Sequence, residues 1–105
     1  MMTVNFDDIE ILATDDGGGN IYYHNDEPFT GLIVEYHHGT LIGEITVVKG
    51  SKNGRIALYY DNGQIQQEYF QRYNRPYGIA KEWDEAGNLL QQHDYGPEYH
   101  FGPDL

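Results

Sequence analysis

The chain has 105 residues, with thirteen glycines, ten tyrosines, no cysteine and a net charge of −11. A chain of this length has room for one modest core. The absence of cysteine excludes a disulfide framework and thiolate chemistry. Its acidity disfavours nucleic acid and anionic membranes as partners and favours a basic protein, although the same charge is also typical of proteins that are acidic only to stay soluble.

No run of about 18 apolar residues is present, so we expect no membrane-spanning helix. The first twelve residues, MMTVNFDDIEIL, lack the basic and long apolar segments of a signal peptide. Together with the absence of cysteine, these features predict a cytoplasmic protein.

Near the N-terminus, the segments IEILA and NIYYH read as two short strands joined by the run Gly17–Gly19. The loop DDGGGN between them carries carboxylates, but it lacks the alternating oxygen ligands and the closing glutamate of a calcium loop. It also lacks the lysine and helix start of a phosphate-binding loop. We therefore expect a solvated turn.

Three later segments repeat one pattern: GLIVEYHHG from Gly31, GRIALYYDNG from Gly54 and GIAKEWDEAG from Gly78. The spacings of 23 (54 − 31) and 24 (78 − 54) residues are typical of a repeat array. Each unit predicts a strand, a tight turn and a second strand. The clearest case is Asn62-Gly63, which predicts a two-residue primed turn because this dipeptide tolerates the positive φ that such a turn needs.

Stacked hairpins predict an all-β fold: a single twisted antiparallel meander of about eight strands. We expect one domain over residues 1–105, made of a partial first unit (21–30), repeat units (31–53, 54–77 and 78–95) and a C-terminal tail (96–105). Pro76 lacks a backbone donor and is expected to lie in a connection. Tyr99 and Phe101 in the tail could cover the edge of the last strand.

Charge is distributed unevenly along the chain. Residues 1–48 hold nine acids and no lysine or arginine, residues 49–81 hold all six basic residues, and residues 82–105 hold six acids. In a meander, the turns within units share one edge and the connections between units share the other. We therefore predict a basic rim and an acidic rim; they contain Lys49, Lys52, Arg72 and Arg75, and Asp61, Asp84 and Glu85, respectively.

Large side chains recur in register within the units. Tyr36, Tyr59 and Trp83 each follow their leading glycine by five residues, which predicts an aromatic ladder on one sheet face. Carboxylates also recur, about 10 Å apart if they lie two strands apart. We take the aromatic and acidic residues together as candidates for partner binding: Glu35, Tyr36, Glu44, Tyr59, Glu68, Glu82 and Trp83. A purely structural ladder and a solvated polar face are the alternatives.

The segments IYYHNDEPFTG and YYDNGQIQQE resemble the MORN-variant repeats of the YwqK-type antitoxins of toxin-antitoxin systems. The resemblance runs from about Ile21 to Tyr95, and the turns YHHGTL and WDEAGNL depart from the family pattern. It implies a twisted sheet that acts by binding: an antitoxin or immunity protein that neutralises a basic cognate toxin. A structural or scaffold repeat module is the alternative.

Catalysis is not expected. No arrangement of serine, histidine and aspartate suggests a nucleophile, and no cofactor is implied. His37 and His38 are adjacent, and neighbours in a strand point to opposite faces, so we expect no metal site from this pair.

Overall fold

The computed structural model describes residues 1–15 and 17–98, which form ten β-strands and one short 3-10 helix, Phe6–Asp8, without an α-helix. The strands are β1 (Thr3–Asn5), β2 (Glu10–Thr14), β3 (Asn20–His24), β4 (Glu27–Pro28), β5 (Gly31–His37), β6 (Thr40–Val48), β7 (Ser51–Tyr59), β8 (Ile65–Arg72), β9 (Arg75–Trp83) and β10 (Leu89–Asp94). The predicted all-β fold is confirmed.

The strands form two sheets. One has seven strands in the order β1-β5-β6-β7-β8-β9-β10, and the other has three in the order β2-β3-β4. Strands β5 to β10 make the expected antiparallel meander, but β1 pairs with β5 in parallel. The prediction of a single meander was therefore wrong for the N-terminal segment.

Core packing explains why the N-terminal strands leave the meander. Tyr22 and Phe29, each 4% exposed, pack with Val4, Ile33 and Val47 in one cluster. This cluster buries apolar side chains from both sheets. A single extended sheet would leave these side chains in water, so folding the small sheet over the large one is favoured by about 25 cal/mol per Å² of apolar surface buried.

The buried cluster defines the two faces of the large sheet. Directly opposed residues on neighbouring strands share a face, and one such row holds Val4, Ile33, Ile45, Ile56 and Tyr69. We call their side the core face and the reverse side the open face. On the open face, Ala57 is the one fully buried side chain among the described strand residues.

Each hairpin within a unit contains a one-residue β-bulge at the same place. The register shifts after the pairs Tyr36–Leu41 and Tyr59–Ile65, and again after Trp83–Leu89. On the strand that carries the bulge, every residue beyond it lies on the opposite face from the one it would occupy in a regular ladder. The bulges therefore decide which face each acidic residue occupies.

Longer irregularities lie between the units. A segment of β7 has two more residues than the facing segment of β6, and a segment of β9 likewise has two more than the facing segment of β8. Gly54 lies in the first of these longer segments with φ of 108°, and Gly78 lies in the second with φ of 68°. Residues other than glycine rarely adopt such φ angles. The leading glycines of the second and third units thus lie inside strands, where they permit the irregularity.

Pro76 corrects another expectation. It lies within β9, opposite Gln71 of β8, rather than in a connection. The last strand pair between β9 and β10 is Asp94–Ile79, so β9 extends beyond the described strand β10 at Pro76. Proline is tolerated there because no ladder donor is required on that side. Tyr99 and Phe101 lie outside the described residues.

Candidate protein-binding face

Aromatic side chains line one end of the open face. Tyr36, Tyr59 and Trp83 each adjoin a residue of the core face on an unbulged strand, so alternation places all three on the open face. Tyr36 is 53% exposed, and the other two are half-buried.

Each aromatic residue is paired with an aliphatic residue on the next strand. The pairs run across six adjacent strands, and we call them the aromatic strip: Tyr36–Leu41, Tyr59–Ile65 and Trp83–Leu89. At about 4.8 Å between strands, the strip spans about 24 Å. Leu89 is 52% exposed, so the strip presents apolar surface to solvent.

The three aromatic rings share a face, but they do not form the predicted ladder. Among the described ring contacts, none joins any two of Tyr36, Tyr59 and Trp83. An intervening strand separates successive rings by about 10 Å, beyond the 4.5–7 Å of aromatic pairs. Each ring residue instead lies opposite an aliphatic residue on the next strand.

Beyond the aromatic strip, a charged cluster occupies the middle of the open face. Glu44 and Glu68 lie on either side of Ala57 in register, and Arg55 joins them. Its Nε lies 2.7 Å from Glu68 Oε2, and its Nη1 lies 3.8 Å from Glu44 Oε1. The two carboxylates are thus bridged by Arg55, a residue outside the set predicted from the sequence.

Tyr59 connects the charged cluster to the aromatic strip. Its hydroxyl donates a hydrogen bond to Glu44 Oε1 over 2.5 Å. Burial raises the pKa of Tyr59, and the hydrogen bond to Glu44 adds to the rise. The hydrogen bond to Glu68 raises the pKa of Arg55. Tyr59 and Arg55 therefore keep their ordinary protonation states, a neutral phenol and a guanidinium cation, at neutral pH.

The structure divides the seven predicted site residues between the two faces. Five share the open face: Tyr36, Glu44, Tyr59, Glu68 and Trp83. Glu35 and Glu82 lie on the core face, in one row with Leu58, beyond the part that the small sheet covers. The sequence-based set is therefore not one contiguous surface.

The two predicted rims are confirmed by the positions of the turns. On the acidic rim, Asn62 Nδ2 donates to the backbone oxygen of Glu85, and His37 Nδ1 lies 3.1 Å from Asp61 Oδ1. Tyr59 and Trp83 end their strands at this rim, and Tyr36 is the last but one residue of β5, so the aromatic strip borders the rim.

The basic rim is partly neutralised by acidic residues from other segments. Asn74 accepts a hydrogen bond from the backbone N–H of Lys52 and donates to Asp15 in the glycine loop. Arg72 pairs with Glu98 at 2.8 Å. The expected solvated loop thus has a structural role, since Asp15 holds it against this rim.

The histidine pair differs from the expectation. His38 lies in the turn with φ of 49°, so strand alternation does not apply, and its ring stacks on that of His37 with centroids 4.1 Å apart. Within residues 1–15 and 17–98, no group of three or more potential metal ligands comes together.

A groove of about 430 Å³ lies on the core face over β8, β9 and β10. Its lining includes Tyr69, Glu82, Gln91, His93 and Tyr95. The small sheet covers the core face near β5 to β7, so the groove lies where that cover ends. The sequence does not predict this groove, because the groove depends on where the small sheet lies.

Comparison of the chain with protein-family models, with characterised proteins and with solved structures found no match. Among the described residues, no helix has the length and apolar character needed to cross a membrane.

Proposed function

We propose that this protein is a non-catalytic inhibitor of the antitoxin or immunity type, which binds a basic protein toxin through its open face. The observation that carries the proposal is the aromatic strip, an exposed apolar surface bordered by the acidic rim. The resemblance of the repeats to YwqK-type antitoxins supports the same function.

The two parts of this surface have different roles in the proposed complex. Interface energy is concentrated in a few aromatic residues that become fully desolvated, and Tyr36 and Trp83 are suited to that role. The acidic rim, with Asp61, Asp84 and Glu85, would attract a basic partner and accelerate encounter. Neutralisation follows either from covering the active site of the toxin or from blocking its assembly.

The first experiment is co-purification with the product of a neighbouring gene, followed by a test of protection from that product's toxicity. We expect Trp83→Ala and Tyr36→Ala each to weaken binding about 30-fold or more, as for interface anchors. Leu12→Ala, at a 58% exposed position on the small sheet, is the matched control and should leave binding unchanged. Absence of both binding and protection would refute the proposal.

Salt dependence tests the role of the acidic rim separately. Raising the ionic strength should slow association, because exposed charges are screened over about 10 Å at 0.1 M salt. Dissociation, which depends on the buried aromatic contacts, should change little. An association rate that does not respond to salt would contradict electrostatic attraction while leaving aromatic anchoring intact.

A scaffold module is the second candidate, favoured by the recurrence of the same aromatic–aliphatic pair in three successive units. Such a surface suits an extended or repetitive partner that is not toxic. Size-exclusion chromatography with light scattering distinguishes the two candidates, since a scaffold function predicts self-association or co-elution with a non-toxic protein.

A further inference from the structure

Strand β10 is an open edge of the large sheet. Among the described residues, no strand pairs with its outer side, and all six of its residues are exposed. Its sequence, LLQQHD, contains no lysine or proline, the residues that commonly block edge pairing. The other edge is formed by β1, which has only three residues.

The core-face groove lies directly beside this edge. Gln91, His93 and Tyr95 project into it from β10 and its continuation, and the His93 and Tyr95 rings meet edge to face with centroids 4.4 Å apart. An added strand would place every second side chain over the groove. Backbone pairing at an edge combined with side-chain pockets beside it is the arrangement by which sheets bind extended peptides.

The charge around the edge selects the kind of peptide. Glu82 lies in the groove with its Oε2 3.3 Å from Gln91 Nε2, and Asp94 ends the strand. Asp84 and Glu85 precede the strand at the acidic rim. Lys81, opposite Gln92 in the register, also contributes to the lining of the groove, together with the carboxylate residues Glu68 and Glu82, so acidic residues outnumber lysine and arginine there. A second copy of this chain would bring a like set of carboxylates, whereas a basic segment would complement them.

We propose that β10 and the adjoining groove form a second binding site, which takes an extended basic segment of another protein as an added strand. The site lies at the edge and on the core face, away from the centre of the aromatic strip. It can therefore be tested whether or not the open face binds a toxin.

The test uses the full chain and a fluorescein-labelled peptide about ten residues long, in which lysine alternates with threonine or valine. Two further versions carry N-methyl groups on every second residue, offset from each other by one residue. In an added strand, alternate N–H groups face the sheet. One version should therefore bind about as well as the parent, and the other about 100-fold more weakly, through loss of about three backbone hydrogen bonds.

Equal affinity of the two N-methylated peptides would show attraction by charge alone and would overturn the proposal. So would equal binding of a version with glutamate in place of lysine. Among protein variants, Asp94→Lys should weaken binding about tenfold. Asp26→Lys, at an exposed turn of the small sheet, is the matched control and should not.

Amide hydrogen exchange identifies where the peptide binds. We expect added protection in Leu89–Asp94 on peptide binding and none in β1. The β10 amides that face β9 are already paired, so the test concerns those that face outward. Protection of the outward-facing amides before peptide is added, whether independent of protein concentration or rising with it, would assign the edge to the chain itself or to a second copy. Either result would overturn the proposal.

Discussion

Replacement of Gly50 by alanine tests how the two sheets are joined. Gly50 has φ of 85°, its N–H donates to the Phe29 carbonyl over 2.7 Å, and its carbonyl accepts from the Tyr22 N–H over 2.8 Å. A Cβ atom there would lie 2.6 Å from Ile21 Cγ2 and 3.1 Å from the backbone oxygen of Tyr22. The methyl group would therefore push the small sheet away.

Gly39 provides a matched control. It occupies the same position in the preceding two-residue turn, with φ of 80°, and a Cβ atom would meet nothing within 4 Å. Gly39→Ala should lower the free energy of unfolding by about 1 kcal/mol, through backbone strain alone. Gly50→Ala adds a packing penalty of about 1 to 3 kcal/mol. The total is a large part of the 5 to 15 kcal/mol typical of a domain.

Urea unfolding followed by the fluorescence of Trp83, the single tryptophan, measures both variants. Hydrogen exchange at the Tyr22 amide should quicken in Gly50→Ala and stay unchanged in Gly39→Ala. If the two free energies of unfolding differ by less than about 0.5 kcal/mol, the reasoning about contact between the sheets is refuted.

Two further predictions concern charged residues. Arg55→Met should lower stability by about 1 kcal/mol at neutral pH, because the half-buried carboxylates of Glu44 and Glu68 lose their shared cation. Chemical unfolding should show this loss largely removed in a Glu44→Gln/Glu68→Gln background. An undiminished loss would mean that the bridge is not its cause. Hydrogen bonds from Asn88, with a further contribution from the Ala86 N–H, hold the pKa of Asp84 below its usual value. The Asp84 carboxylate therefore stabilises the turn above its unfolded-state pKa, and this stabilisation is lost as the pH falls through its folded-state pKa. Amide exchange between about pH 5 and about pH 2, corrected for intrinsic rates, should show the Asp84–Asn88 turn opening at the acidic end, and an Asp84→Asn variant should lack this pH dependence.

The local features of the repeat could be predicted from sequence because they depend on neighbouring residues. A hairpin turn forms at Asn62-Gly63 as predicted, and Gly63 has a positive φ of 87°. The two-residue primed turn was wrong, because Asn62 does not share the positive φ and five residues, 60–64, connect β7 to β8. The rims follow from the order of turns in a meander. The separation of Glu35 from Tyr36 also follows from alternation, although they were first grouped in one site.

The bulges could not be predicted, and they determine part of the candidate site. A regular ladder continuing from Tyr36–Leu41 would set Glu44 opposite Ile33, on the core face; the bulge sets it opposite Val34 instead. The corresponding bulge after Tyr59–Ile65 places Tyr69 opposite Ile56 and leaves Glu68 on the open face. One extra residue per hairpin reverses the faces, and no side chain in these segments signals it.

The sequence by itself determined that the chain forms antiparallel hairpins with aromatic residues in register and opposite charge at the two rims, because these depend on alternation, turn chemistry and chain order. Tertiary structure alone decided that the N-terminal strands form a separate sheet. That sheet buries Tyr22 and Phe29 against one face of the meander and leaves the aromatic strip and the edge of β10 uncovered. Such pairing is non-local: it depends on which distant apolar surfaces bury each other best, which no local pattern specifies.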